Sequence, residues 1–456
     1  MSSIRNMLKD KLFFSTLITI AIPITLQNLI ASSVNMLDTF MISSLGEKSL
    51  AAVGLANQVF FFYSLIIFGI ASGSAIFIAQ FWGKMDEKNI KRVLGLALFT
   101  SIIVGLIFTV AVLIAPDSIM RIFSSDNEVI KLGADYLVIV IFSYIVFGAG
   151  FTFQISSRST GNAKMPMVAS IISFFVNLVF NYILIYGHLS FPRLEVKGAA
   201  YATLLARVVE LLLVVYAIYS SEGPLKGTIK EFTDWNRDFV YKYFKTSSPV
   251  IINETFWSLG NVLYSIAYAK IGTEAAAAIQ ILSVVQNLFM VFTRGVGNAC
   301  TVMVGNKIGA DEEDTAIEYA NRFLFISAVL GLLLGLILIF TSDLILMFFR
   351  DLSPQLRHTS KMLLIILGIF FAVKTVNGTI IVGILRSGGD TRFSMLLEMG
   401  SVWLAGVPLA FIGSMVLKLP VYLVTPLAYS EEIVKILIGL FRVHSKKWVV
   451  NVTRGM

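Results

Sequence analysis

The sequence predicts an all-α integral membrane protein: twelve transmembrane helices arranged as two parallel six-helix bundles, an N-lobe and a C-lobe, with pseudo-two-fold symmetry along the membrane normal. Composition, the number of apolar runs and an internal repeat predict it. Hydrophobic residues make up 57% of the 456-residue chain and charged residues 14%, where a soluble domain carries roughly 25% charged residues. Twelve helices of about 21 residues would use roughly 55% of the chain, which matches the hydrophobic share. The longest polar stretch, from about Ser220 to Lys242, is too short for a soluble domain. A water-soluble enzyme is excluded.

The apolar runs place spans at about 13–42, 50–82, 93–115, 130–155, 165–187, 198–220, 244–271, 275–304, 319–341, 359–385, 393–415 and 420–441. Glu431, Glu432 and Lys435 interrupt the last. The basic start, Met1 to Lys11, leads into an apolar run holding Pro23 and shows no small-residue cleavage site, which predicts a retained first span. The expected organisation is an N-lobe over 1–222, a cytoplasmic linker over 223–242 and a C-lobe over 243–456.

Counting bases orients the chain. With both termini and the even-numbered connections on one side, that side holds 22 lysines and arginines against 10, while Arg207, Arg294, Lys374 and Lys435 fall within spans. The excess predicts both termini in the cytoplasm and an even number of spans in a cell membrane. The net charge of +8 belongs to that asymmetry, and no nucleic-acid partner is expected. Cys300 is alone, so no internal disulfide forms. His188, His358 and His444 sit in connections or near the C-terminus, which argues against haem or a His-ligated metal. No phosphate-binding G-x-x-x-x-G-K-[ST] stretch occurs. No cofactor is expected beyond a coupling Na+ or H+.

The chain repeats itself. An offset of 226 pairs Pro23 with Pro249, Gly46 with Gly272, Ala51-Ala52 with Ala277-Ala278, Gly69 with Gly295, Gly83 with Gly309 and Gly105 with Gly331. An offset of 228 pairs Arg158-Ser159-x-Gly161-Asn162 with Arg386-Ser387-x-Gly389-Asp390. Composition alone would align leucines, not a co-linear set of prolines, glycines and loop charges. Six spans per half make the repeats parallel, the arrangement of transporters that hold a ligand near the midplane between halves.

An ionisable side chain in hydrocarbon costs about 2.5–3.5 kcal/mol on insertion scales, so each one asks for a reason. Asp38, in the first span, has no base near it in sequence and shares a helix face with Asn35. Asn177 and Asn181 share a face of the fifth span, and Thr203 precedes Arg207 by one turn. A carboxylate with amide and hydroxyl oxygens suits a small alkali cation, or a proton on the carboxylate; the same amides could simply hydrogen-bond neighbouring helices. Arg207 and Glu210, three residues apart, are expected to pair. Glu254, Lys374, Arg294 and Glu398 form either a charge network, with Glu254 and Lys374 as the expected pair, or a substrate-contacting cluster. Gln27, Gln58, Gln154, Gln280 and Gln286 are cavity candidates, because an unpaired amide avoids lipid. Met and aromatic side chains facing a cavity would suit hydrophobic, variably shaped substrates. The offsets carry Asp38 onto Tyr264 and Asn177 and Asn181 onto Ala405 and Leu409, so the candidate cation site belongs to the N-terminal half alone.

The chain resembles the multidrug and toxic compound extrusion (MATE) family, in its NorM-like branch. Carrying the resemblance are the proline-bearing helix that opens each half and the loop stretches Gly83-Lys84 and Gly309-Ala310. With them go Asn177-Leu-Val-Phe-Asn181-Tyr182-Ile-Leu-Ile-Tyr186-Gly187, Lys197-Gly198 through Thr203, and the tail from Phe441-Arg442 to Trp448. The resemblance implies an exporter of cationic or amphiphilic compounds driven by inward sodium or proton flow. The family's N-terminal cation site maps onto Asp38, Asn177, Asn181 and Thr203, with Tyr136 a further match, and Asp38, Asn177 and Asn181 would ligate Na+ in a sodium-coupled member. Its C-terminal acidic pair maps onto Glu254, but Thr375 stands where an aspartate is expected, Phe371 replaces a tyrosine, and Lys374 adds a positive charge.

The reading is a monomeric secondary antiporter working by alternating access, with a small organic cation or amphiphile as substrate and the bilayer as partner. A lipid-linked saccharide flippase of the same superfamily is the alternative, which Arg294 and Lys374 would suit. A membrane enzyme lacks a catalytic cluster in the spans, and no filter loop interrupts a span as a channel would require.

Overall fold

A computed structural model of the protein describes residues 10–349 and 352–456. Arg5, Lys9 and Arg350, which enter the charge count, and the Met1–Lys9 part of the basic start lie outside the described residues.

Among the described residues the chain forms twelve helical spans: α1 Lys11–Ser43, α2 Glu47–Gly83, α3 Glu87–Ile114, α4 as Asn127–Val140 and Phe142–Ser159, α5 Lys164–Tyr186, α6 Glu195–Ser220, α7 Arg237–Ala269, α8 Thr273–Gly309, α9 Glu313–Met347, α10 Pro354–Arg386, α11 Thr391–Val416, and α12 as Val421–Ala428 and Ser430–His444. Nine are single helices apolar and long enough to cross a bilayer, and α4 makes a tenth across a 48° bend. The other two, α7 and α12, carry the charges Glu254, Glu431, Glu432 and Lys435. Residues such as Leu332, Leu333, Leu336 and Phe340 of α9 point outward, as an exterior solvated by lipid requires.

Local chemistry sets the boundaries. Asp86 caps α3 by accepting from the Asn89 amide at 3.1 Å. Ser353 caps α10 from the Leu356 amide at 3.1 Å, ahead of Pro354 in the first turn. Gly46 and Gly272 precede α2 and α8 with φ of 104° and 146° and ψ near 170°. Only glycine holds that backbone without strain. Gly161 and Gly389, paired by the other offset, share φ of 85° and 84°. The repeat seen in sequence is thus a repeat of backbone conformation.

Two departures from plain α-helix lie beside a proline. In α11 the run Val402–Gly406 is π-helical just ahead of Pro408, whose missing N–H and bulky ring disrupt the preceding turn. α12 contains Pro426 and re-forms at Ser430. The Thr379–Arg386 end of α10 is also π-helical.

By packing, the described chain divides into a unit of Ile22–Ser247 and a unit that joins the start of the chain, through Ala21, to Ser248–Gly455. The changes of unit lie 226 residues apart, each just before an in-helix proline, Pro23 or Pro249. In the Ile22–Ser247 unit, Tyr63 stacks on Tyr144 and donates its hydroxyl to the Tyr144 carbonyl at 2.6 Å. Residues 223–242, expected as a linker, belong to this unit. Lys91 meets Glu231 at 2.8 Å and Arg92 meets Asp234 at 2.6 Å. The Lys91 ammonium and the Thr228 amide and hydroxyl hold the Glu231 carboxyl down at about 2. In the other unit, Leu338, Leu363, Leu367, Phe371 and Val424 form a core, and Phe13 packs edge-on against Tyr319 and Phe323.

Candidate cation and substrate site

Residues of α2, α4, α5 and α6 converge on Asp38 of α1. The Asn181 amide donates to Asp38 Oδ1 at 2.5 Å and to Asn177 Oδ1 at 3.1 Å. Both asparagines are fully buried, at 1% and 0% exposure, and the Asn181 Oδ1 acceptor has no hydrogen-bond partner. Asp38 lines a cavity of about 70 Å³ together with Thr39, Asn57, Tyr136 and Thr203. All five residues expected to hold a cation therefore come together from α1, α4, α5 and α6. Asn35 does not join them: it faces outward, and its carbonyl accepts from Thr39.

Asp38 makes no ion pair among the described residues. Arg207 lies within electrostatic range of it, but its guanidinium is bound to Glu210 at 3.0 Å and lies over the Phe147 ring. The expected Arg207–Glu210 pair forms. The donor set fits a small cation: a carboxylate, an uncommitted amide oxygen and two hydroxyl-bearing neighbours, all hard oxygens.

Gln27 and Gln154, expected at a cavity, are instead buried against each other, 2.6 Å apart. Gln27 also accepts from Arg158 and donates to Ser170 at 2.9 Å, and Ser170 donates to Glu210 at 2.7 Å. A buried arginine whose neighbours are amides recruits them more strongly than open space does. The span predicted over 130–155 stops short of Arg158, which is a buried residue of α4. Gln58 and Gln280 are exposed, and Gln286 accepts from Tyr429 at 3.3 Å.

In the second half the expected Glu254–Lys374 pair does not form. Glu254 meets Arg386 at 2.7 Å, and Arg386 also meets Glu398 at 3.2 Å, itself bound by Asn253 at 2.5 Å. Lys374 sits twelve residues before Arg386 on α10, roughly 18 Å along a helix, and pairs with Glu432 at 3.2 Å. Spacing along the sequence gave no depth in the membrane, which decides the partner. Arg294 is exposed as a residue on α8, and its guanidinium has no partner among the described residues. Glu431, Glu432 and Lys435 read in sequence as an interruption of the last span; they are buried and paired. The 228 offset was the available signal, because it places Glu431 on Thr203 and Lys435 on Arg207.

The helical spans and the duplicated backbone fit a multi-pass membrane transporter. The MatE family model matches residues 23–183 and 249–412, two segments that begin 226 residues apart. The chain belongs to the MatE family. Among its relatives are the probable multidrug resistance protein NorM of Thermotoga maritima, 26% identical over 87% of this chain and 84% of that protein, and the probable multidrug resistance protein YoeA of Bacillus subtilis, 24% identical over 88% and 87%. A MOP superfamily transporter from Pyrococcus furiosus has the same fold, with a TM-score of 0.85 at 21% identity over 95% of this chain and 96% of that one. So has an outward-facing multidrug resistance MATE family transporter, with a TM-score of 0.84 at 22% identity over 95% and 96%.

Proposed function

We propose that the protein is a cation-coupled antiporter that exports cationic or amphiphilic compounds, with Asp38 as the coupling carboxylate. The observation that carries this reading is the geometry at Asp38: a carboxylate without a basic partner, held by Asn181 beside a small cavity. Asn177, Asn181, Thr203 and Tyr136 complete the site. Relatives named for multidrug resistance support the substrate class.

In one state Asp38 is deprotonated and loaded with the coupling cation; in the other it is empty or protonated. Cation binding biases the N-terminal half toward one arrangement. Coupling requires that ion and substrate differ in affinity between the two states, since a ligand that binds both equally shifts neither. The chain works as a monomer in the plasma membrane with both termini cytoplasmic, and needs no cofactor besides the coupling ion.

The flippase reading retains Arg294, an unpartnered base suited to an anionic head group, but loses Lys374, which Glu432 neutralises. Transport of a fluorescent organic cation into vesicles with imposed sodium or proton gradients separates the two. The antiporter reading expects uptake driven by one of these gradients and lost in Asp38→Asn. Flux indifferent to both gradients would contradict it and favour the flippase.

A further inference from the structure

The densest set of charges within the spans has no place in the mechanism above. It lies in the second half, where Glu431, Glu432 and Lys435 of α12 meet Lys374 and Asn377 of α10 and Tyr264 of α7. Glu431 Oε1 lies 3.2 Å from the Lys435 ammonium, and Glu431 Oε2 accepts from the Tyr264 hydroxyl at 2.7 Å. Glu432 Oε1 lies 3.2 Å from the Lys374 ammonium and 3.9 Å from that of Lys435; its Oε2 accepts from the Asn377 amide at 2.7 Å. All four carboxylate oxygens have partners, and two negative charges face two positive ones. Lys374 also sits over the Tyr429 ring, 4.1 Å from its centre.

The repeat places this cluster. One offset carries Asp38 onto Tyr264; the other carries Thr203 onto Glu431 and Arg207 onto Lys435. Three positions around the Asp38 site thus meet again in the second half, with the carboxylate moved from the first helix of the half to the sixth. A free monovalent ion and a lysine ammonium each bring one positive charge to such oxygens. The difference is that the ammonium cannot leave.

We infer that the Lys374–Lys435–Glu431–Glu432 cluster is a self-filled cation site, in which tethered ammonium groups hold the place that a free cation takes at Asp38. The inference rests on the reading of Asp38 as a cation site. Removing Lys374 would free Glu432 Oε1 and the face of the Tyr429 ring; Asn377, whose amide holds Glu432 Oε2, has a buried Oδ1 without a hydrogen-bond partner. Those are donors for Na+ or Li+.

The test is thermal melting of purified protein in NaCl or LiCl against choline chloride at equal ionic strength and alkaline pH. It is made in the Asp38→Asn background so that the first site is silent. Adding Lys374→Ala should create a melting temperature that rises and saturates with NaCl or LiCl, and a further Glu432→Gln should abolish the rise. Identical melting of Asp38→Asn/Lys374→Ala in all three salts overturns the inference. A sodium or lithium response in Asp38→Asn alone counts instead against the Asp38 reading, and the tether is still judged by the difference Lys374→Ala makes. Should Lys374→Ala not fold, Lys374→Ala/Glu432→Gln, which removes one charge of each sign, decides. Recovery of a folded, salt-indifferent protein supports neutralisation as the lysine's role, and failure to fold overturns it.

Discussion

The N-terminal half keeps Asp38 without a counter-charge, while the C-terminal half places a base within 3.2 Å of each of Glu254, Glu398, Glu431 and Glu432. The opening helices of the two halves match in length, with 33 residues in both α1 and α7 and 37 in both α2 and α8. A duplicated backbone therefore fixes kinks, turns and close approaches, while side chains on that backbone decide which half keeps an unpaired carboxylate. An unpaired carboxylate can exchange partners; a carboxylate locked to a buried base is architecture.

The sharpest way to break this comparison is Asp38→Asn, which should reduce gradient-driven uptake to the level of empty vesicles, whereas Glu432→Gln should leave coupling intact. Measured by fluorescent-cation uptake, equal losses in the two variants would erase the distinction. Next in size, Arg386→Ala strands Glu254 and Glu398 in the interior and should cost about 3–5 kcal/mol, as breaking a buried pair does. Arg158→Ala, which removes the hydrogen bond to the neutral Gln27, should cost about 1–3 kcal/mol. Denaturant unfolding of both in matched detergent checks the order.

Gly46→Ala and Gly272→Ala should each lower stability by about 1–3 kcal/mol, because a Cβ is strained at those angles. Similar losses would confirm that the turns are equivalent, and a loss at one alone would not fit. Asn181→Ala should weaken cation binding about tenfold, near 1.4 kcal/mol, while Leu409→Ala at the equivalent position should leave it unchanged in a titration of the ion. The smallest effect concerns Glu231. Its folded value is held at about 2, below the usual 4.5. Its contribution is therefore full above about 4.5 and lost as pH falls through 2. Acid proteolysis of the 223–235 segment should accelerate over that window in the wild type, and Glu231→Gln should flatten the dependence.

Much of this was legible beforehand. Proline and glycine repeat because they dictate backbone, so the offset found α1 and α7, the Gly46 and Gly272 turns and the Gly161 and Gly389 turns. Asp38 stood out because no base neighbours it. The partner of Glu254 was not legible, since Lys374 and Arg386 share one helix at different depths. Nor was the bend in α4, which has no proline or glycine at Ile141 to announce it. Gln27 and Gln154 were misplaced because an amide in a span reads alike whether it faces water or a buried arginine.

The most direct test of an ion-responsive N-terminal half is charge movement on a supported membrane of reconstituted protein, triggered by a sodium or proton jump without substrate. The account predicts a transient current in the wild type and in Glu432→Gln, and none in Asp38→Asn. A current of undiminished size in Asp38→Asn would contradict it.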